Sequence, residues 1–110
     1  SEALEIEKFL VYPNPFSPSI TTSGVTFGFS LTQAATVSLK IYDAMGREIT
    51  ELPEEPYSMG YNTIPKTGGP WDGIIKSSSK YIPSGTYYLK LTATDAEGVT
   101  KVATTKMAVY

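Results

Sequence analysis

The 110-residue chain has no cysteine and no histidine. Without cysteine there is no disulfide framework and no thiol chemistry, and any redox compartment is compatible with the composition. Without histidine the chain lacks the commonest general base and the commonest transition-metal ligand. Both absences argue against an enzyme, and no cofactor is expected. Basic charge is also scarce. Nine Lys and Arg against eleven Asp and Glu leave a net charge of −2, and no segment collects the positive side chains. Nucleic acid is therefore not an expected partner. No apolar run is long enough to span a membrane.

What the chain does contain is turn and strand residues. Eight Pro and nine Gly interrupt it too often for long helices, and Thr and Tyr are plentiful. The length suits one domain with one core. The stretch from Trp71 to Asp95 organises the rest. Tyr87, Leu89, Leu91 and Ala93 alternate with Thr86, Tyr88, Lys90, Thr92 and Thr94, the period of two of a strand with one buried face. Pro83-Ser84-Gly85 sets the turn before it. Tyr87 is then placed to return its hydroxyl to upstream backbone, as in the tyrosine corner of immunoglobulin-like sandwiches.

The same alternation predicts strands over 24–31, with Val25, Phe27, Phe29 and Leu31 inward, and over 35–42, with Val37, Leu39 and Ile41 inward. Asp43-Ala44-Met45-Gly46 and Asp95-Ala96-Glu97-Gly98 each read as a type I turn closed by glycine, hence two tight hairpins. Further strands over 9–12, 47–52, 60–64 and 99–109 bring the total to about seven, with turn signals every 8–12 residues or so. The expected fold is all-β, a seven-stranded immunoglobulin or fibronectin type III-like β-sandwich over residues 9–110. Residues 1–8, with Glu2, Glu5 and Glu7, read as a linker. Pro13 and Pro15 around Asn14 cannot sit inside a sheet, so that segment runs along an edge with Phe16 as its anchor. Residues 53–58 read as an acidic, proline-broken connection, and 65–81 as irregular.

Four motifs now stand in order: Tyr12-Pro13-Asn14-Pro15-Phe16, Ile41-Tyr42-Asp43 through Gly46-Arg47, Trp71-Asp72-Gly73, and Pro83-Ser84-Gly85-Thr86-Tyr87-Tyr88. This order resembles the immunoglobulin-like domain of the flagellar hook-capping protein and its relatives. Residues 82–93 also resemble the corresponding strand of fibronectin type III domains. The chain departs from the family at Pro65 to Pro70, including Gly68, and at Ile74 to Lys80, both at one loop end. The resemblance implies a structural or assembly module of secreted or cell-surface bacterial proteins. A PNPF-like start with similar strands also resembles C-terminal secretion-sorting domains, although this chain ends without a clear basic motif.

The candidate sites follow from the pattern. Trp71-Asp72-Gly73 reads as structural: Trp71 covers one end of the core, Asp72 accepts backbone N–H bonds and Gly73 takes a positive φ. A ligand-stacking Trp with an acidic partner is the alternative. Tyr42 and Tyr88 both face outward from neighbouring strands, where their rings can lie side by side, and a surface for a ligand or partner, with Tyr61 as a third member, is one reading of them. A cross-strand pair that merely shields the sheet is the plain alternative. Asp72, Asp95 and Glu97 lie in loops without the dense oxygen spacing of a calcium loop, so no metal site is expected. Ser77-Ser78-Ser79 between Lys76 and Lys80 offers neither a buried lysine nor an oxyanion cradle, which leaves a loop rather than a nucleophile.

The expectation is a non-catalytic module in an extracellular or cell-surface protein that spaces or anchors neighbouring domains of a larger parent. Polysaccharide binding through Tyr42, Tyr88 and Tyr61 and a secretion-sorting role are the alternatives. Partners would be those neighbouring domains, a polysaccharide or another surface protein.

Overall fold

Alternating apolar side chains organise the chain into two layers of strands. The computed structural model describes residues 3–17, 24–67, 69–75 and 77–110; Glu2, Gly68 and Lys76 lie outside them. The strands are β1 (Ile6–Tyr12), β2 (Thr26–Leu31), β3 (Ala35–Tyr42), β4 (Glu48–Tyr57), β5 (Gly60–Ile64), β6 (Ile74–Ile75), β7 (Lys80–Tyr81), β8 (Gly85–Thr94) and β9 (Thr100–Val109). β1-β2-β5 form one sheet, β4-β3-β8-β9 a second, and β6-β7 a small hairpin. All these pairings are antiparallel. The chain is an all-β sandwich.

Register decides which side chains meet. Val37, Leu39 and Ile41 pair with Ala93, Leu91 and Leu89, and all six side chains are buried. Phe27 and Phe29 come from the opposite sheet and are fully buried, with Phe29 edge-on to Tyr57 at 5.1 Å between ring centroids. Phe16 is buried as well and lies on the end of β9, its N–H donating to the Ala108 carbonyl while Tyr110 N–H donates to its own. Asn14 completes this clamp, donating to the Lys106 carbonyl at 3.2 Å and accepting from Ala108 N–H at 3.0 Å. Both prolines therefore flank a side chain that stands in for strand pairing.

Trp71 closes one end of the core. It exchanges backbone hydrogen bonds with Val25 at 2.8 and 2.9 Å, and its ring tilts against Phe16 and Phe27 at 6.5 and 6.2 Å. The bridge requires Gly24, whose φ is +77° and where a Cβ would come within 2.4 Å of the Trp71 carbonyl oxygen. Asp72 accepts Ile74 N–H at 3.0 Å, Gly73 has φ +86°, and Tyr87 donates its hydroxyl to the Pro83 carbonyl at 2.7 Å.

The observed strands differ from the expected ones in three places. Residues 53–57 are strand, not connection: β4 is an edge strand, so Pro53 and Pro56 need donate nothing outward, and register shifts against β3 between Val37 and Leu39. Residues 3–8 are not a linker. Leu4 is buried, Thr32 Oγ1 binds the Glu5 N–H and the Ala3 carbonyl, and β1 begins at Ile6. The glutamates masked an apolar alternation of Leu4 and Ile6. The segment expected to be irregular contains the β6-β7 hairpin, so nine strands are present among the described residues.

Replacing Trp71 by Ala removes the ring that Phe16 and Phe27 pack on. The expected cost is about 3–5 kcal/mol of unfolding free energy, read from the shift in urea midpoint at unchanged slope. A shift near zero would mean that the ring contributes little to the core.

Candidate functional site

The outer face of the four-stranded sheet is built by the same register that builds the core. Tyr42 on β3 lies directly across from Tyr88 on β8, and one row further along, Lys40 lies directly across from Lys90. On β9, Lys106 is the partner of Tyr88, with its Nζ 5.8 Å from the Tyr88 ring centroid, and Thr104 is the partner of Lys90. Tyr88 is 41% exposed, Tyr42 is half-buried, and Lys90 and Lys106 are exposed. Two tyrosines and three lysines thus share one face with Glu48 and Glu51, the β4 partners of Tyr42 and Lys40.

The carboxylates of that face lie on its β4 side, beside β3, and the only charged side chains on its β8–β9 side are lysines. Like charges directly opposite on neighbouring strands destabilise the pair. Lys40 is offset by Glu48 at 3.7 Å. Among the described residues neither Lys90 nor Lys106 has a carboxylate within 4 Å.

The turn after Tyr42 holds the end of β3 in place. Asp43 Oδ1 accepts the N–H groups of Met45 and Arg47, both at 2.9 Å, and Oδ2 accepts from Arg47 Nε at 2.9 Å. The backbone N–H of Arg47, with its guanidinium and the Met45 N–H, holds the Asp43 carboxyl below the usual carboxylate range. Asp95 repeats the arrangement, accepting from Glu97 and Val99 N–H at 2.9 and 3.0 Å. Burial, and secondarily the Asp43 charge, pushes the Tyr87 hydroxyl up.

Tyr61 is not part of this face. It lies on β5, in the other sheet, with its hydroxyl 3.0 Å from that of Tyr12. Its ring crosses Gly28, where a Cβ would come within 2.1 Å of the Tyr61 hydroxyl. Sequence reading set Lys90 outward but did not bring the three lysines together, because Lys40, Lys90 and Lys106 are far apart in the chain. The signal was in the alternation, which sets all three on the outward side of strands that pair. Among the described residues, no three Asp or Glu side chains come together as a metal site, and no helix is long and apolar enough to cross a membrane.

No family model matches the chain, and no curated protein matches it in sequence. Solved structures do match in fold. One is CopC from Methylosinus trichosporium OB3b, at TM-score 0.55 and 13% identity, covering 96% of this chain and 93% of that one. Another is the PmoD soluble domain from Methylocystis sp. ATCC 49242 (Rockwell), at TM-score 0.52 and 15% identity, covering 97% and 90%. The likeness is one of fold.

These neighbours correct the family expectation. The chain is similar to CopC and PmoD, not to the immunoglobulin-like domain of the hook-capping protein, and the fibronectin and hook-capping labels are withdrawn with it. The functional expectations stated beside it fall too: domain spacing or anchoring, polysaccharide binding through Tyr42, Tyr88 and Tyr61, and secretion sorting. The physical reason is visible in the motifs. Asn14 clamps β9, Trp71 bridges to Val25 and Tyr87 bonds Pro83. Each is a device for closing a sandwich, so together they mark how the chain is built and not which family it belongs to.

The lowered Asp43 pKa carries a sign that is open to test. Stability from this carboxylate is fully present above its ordinary pKa and is lost as pH falls through the lowered value. Asp43→Asn should therefore destabilise at pH 7, and the difference from the parent should shrink as pH falls below the ordinary carboxylate range. Urea unfolding of both proteins across that range measures it. A difference that is independent of pH would remove the carboxylate from the account.

Proposed function

We propose that the chain is a non-catalytic binding domain that docks the acidic surface of a partner protein on the outer face of its four-stranded sheet. The observation that carries this reading is the facing pair Tyr42 and Tyr88 set among Lys40, Lys90 and Lys106. Tyrosine offers a large contact area with few rotatable bonds, so it loses little entropy when covered. The lysines repel one another in the free protein, and a facing row of carboxylates relieves that repulsion. The bound state therefore gains something that the free state lacks, and a basic partner is rejected by the same charges.

A place outside the cytoplasm, extracellular or periplasmic, is part of the reading, and the likeness in fold supports it. So is the count of seven strands in the sandwich proper, supported by sheets of three and four with the β6-β7 hairpin apart. Metal binding is the other reading considered for a fold of this kind. The donor set does not fit a transition-metal site: the chain has neither histidine nor cysteine, and of its three methionines Met107 is buried in the core while Met45 and Met59 lie in turns at opposite ends of β4.

The test is an amide chemical-shift titration with an acetylated peptide of alternating Glu and Tyr. The expected shifts cluster on Tyr42, Tyr88, Lys90 and Lys106, and raising salt from about 0.05 M to about 0.3 M weakens binding several-fold. Lys90→Glu combined with Lys106→Glu abolishes the response while the chain stays folded, as its retained far-ultraviolet circular dichroism would show. An equal response to a single-stranded oligonucleotide of the same charge overturns the reading, as do shifts centred on Lys8 and Lys80.

A further inference from the structure

Four strands face three, and the mismatch falls on one side. β1 packs against β9, where Lys101 Nζ is 3.5 Å from Glu5 Oε1. The strand left without a counterpart in the smaller sheet is therefore β4. A cleft of about 230 Å³ opens there between β4 and β5, lined by Leu52, Pro53, Tyr57, Ile64, Pro65 and Lys66. Leu52, Tyr57 and Ile64 are buried core residues, so the wall of the cleft is the core itself, reached from the side.

Among the described residues, the other edges of the two main sheets are covered or interrupted by proline. β4 carries Pro53 and Pro56, which have no N–H to donate. The end of β9 is taken by the segment around Asn14 and Phe16, and β1 closes on β9. β5 differs from all of these. Its sequence, Gly60-Tyr61-Asn62-Thr63-Ile64, holds no proline and no charge, and among the described residues nothing pairs with its outer side. In an edge strand alternate residues aim N–H and C=O away from the sheet, a template for one more strand unless something covers it.

We propose that the β4–β5 cleft is a strand-acceptor site for an extended segment of a partner polypeptide. The segment pairs with β5 as a fourth strand of the smaller sheet, seats an aliphatic side chain against Leu52 and Tyr57, and meets Lys66 with a carboxylate. Backbone pairing supplies the attachment and the alternate side chains supply the selection. The carboxylate follows from charge. Lys66 Nζ donates to the Pro56 carbonyl and stands 5.0 Å from the Tyr57 ring centroid. Among the described residues no carboxylate lies within 4 Å of it, including Glu55 of the same cleft. A second copy of this chain suits the site less well. Each copy carries its own unmatched β4 on the β5 side, and joining two β5 edges would drive the two β4 strands into the same space. No residue of this site belongs to the tyrosine–lysine face, so the two surfaces stand or fall separately.

The probe is the peptide acetyl-Thr-Val-Glu-Val-Thr-Val-amide, titrated into the full chain and followed by amide shifts and hydrogen exchange. The expected result is saturable shifts on Leu52, Tyr57, Thr63, Ile64 and Lys66, with exchange at the outward β5 amides slowed at least about tenfold, as pairing with a bound strand requires. The same peptide with its central Val replaced by Pro should not bind, a control that leaves the protein unaltered. Lys66→Gln should weaken binding several-fold, and a peptide with Lys in place of Glu should bind more weakly than the parent peptide. Equal binding of the proline peptide overturns the proposal, as do shifts confined to the Tyr42–Tyr88 face. Concentration-dependent doubling of the chain's mass without peptide, with protection of β5, also overturns it in favour of self-pairing.

Discussion

The pairing of β3 with β8 is the constraint from which the other features follow. Leu39 opposite Leu91 sets every second residue of both strands into the core and every other one onto the outer face. Side chains alternate with a period of two, so a slip of one residue would bury Lys40, Lys90, Tyr42 and Tyr88 and expose the leucines. The cost of that exchange would be many buried apolar groups at about 1.5–3 kcal/mol each, together with unpaired charges. The core thus enforces the position of the outer face. Two lysines held across from each other on central strands are there because the leucines beneath them permit no other register.

The alternation was the most legible part of the chain. The inward sets Phe27/Phe29/Leu31, Val37/Leu39/Ile41 and Tyr87/Leu89/Leu91/Ala93 are buried together, and all could be read from local period alone. Features that depend on what lies beside a strand could not. Proline at 53 and 56 reads as a break in one dimension, yet an edge strand has a side on which a missing N–H costs nothing. Leu4 and Ile6 were hidden by the neighbouring Glu5 and Glu7, which are exposed while the strand beneath continues. The adjacency of Lys106 to Tyr88 depends on the β8–β9 register, which a turn motif suggests but does not number.

The family resemblance misled for a related reason. A small sandwich must close its edges and cap its ends, and few residue types do this work well. An amide side chain bonding a strand edge, an indole over the end of the core and a tyrosine hydroxyl on a turn carbonyl answer those needs in any such chain. They recur wherever the architecture recurs. Similarity in fold to CopC and PmoD at 13% and 15% identity is what remains when the architecture is kept and the surface is free to change. What distinguishes this chain therefore has to be sought on the outside of the sheets and along their edges.

Both surfaces singled out here are places where the chain departs from what stability alone would select. Facing lysines on central strands weaken the free protein, and the bare edge of β5 beside an opening into the core invites misassociation. Elsewhere the same chain manages such hazards carefully. It covers β9 with Asn14 and Phe16, places prolines along β4 and pairs Lys101 with Glu5 across the closed side. Among the described residues, the other edges of the two main sheets are covered or carry proline, and Lys40 is balanced by Glu48 while Lys90 and Lys106 have no carboxylate in reach, so the unsatisfied groups concentrate in two places. Local rules that are kept throughout a structure and broken at one or two sites point to function at those sites. Among the described residues β5 leaves backbone unpaired on its outer side and the lysines of the β8–β9 face lack a carboxylate in reach, which is why the proposed partners are an extended strand for the one and an acidic surface for the other.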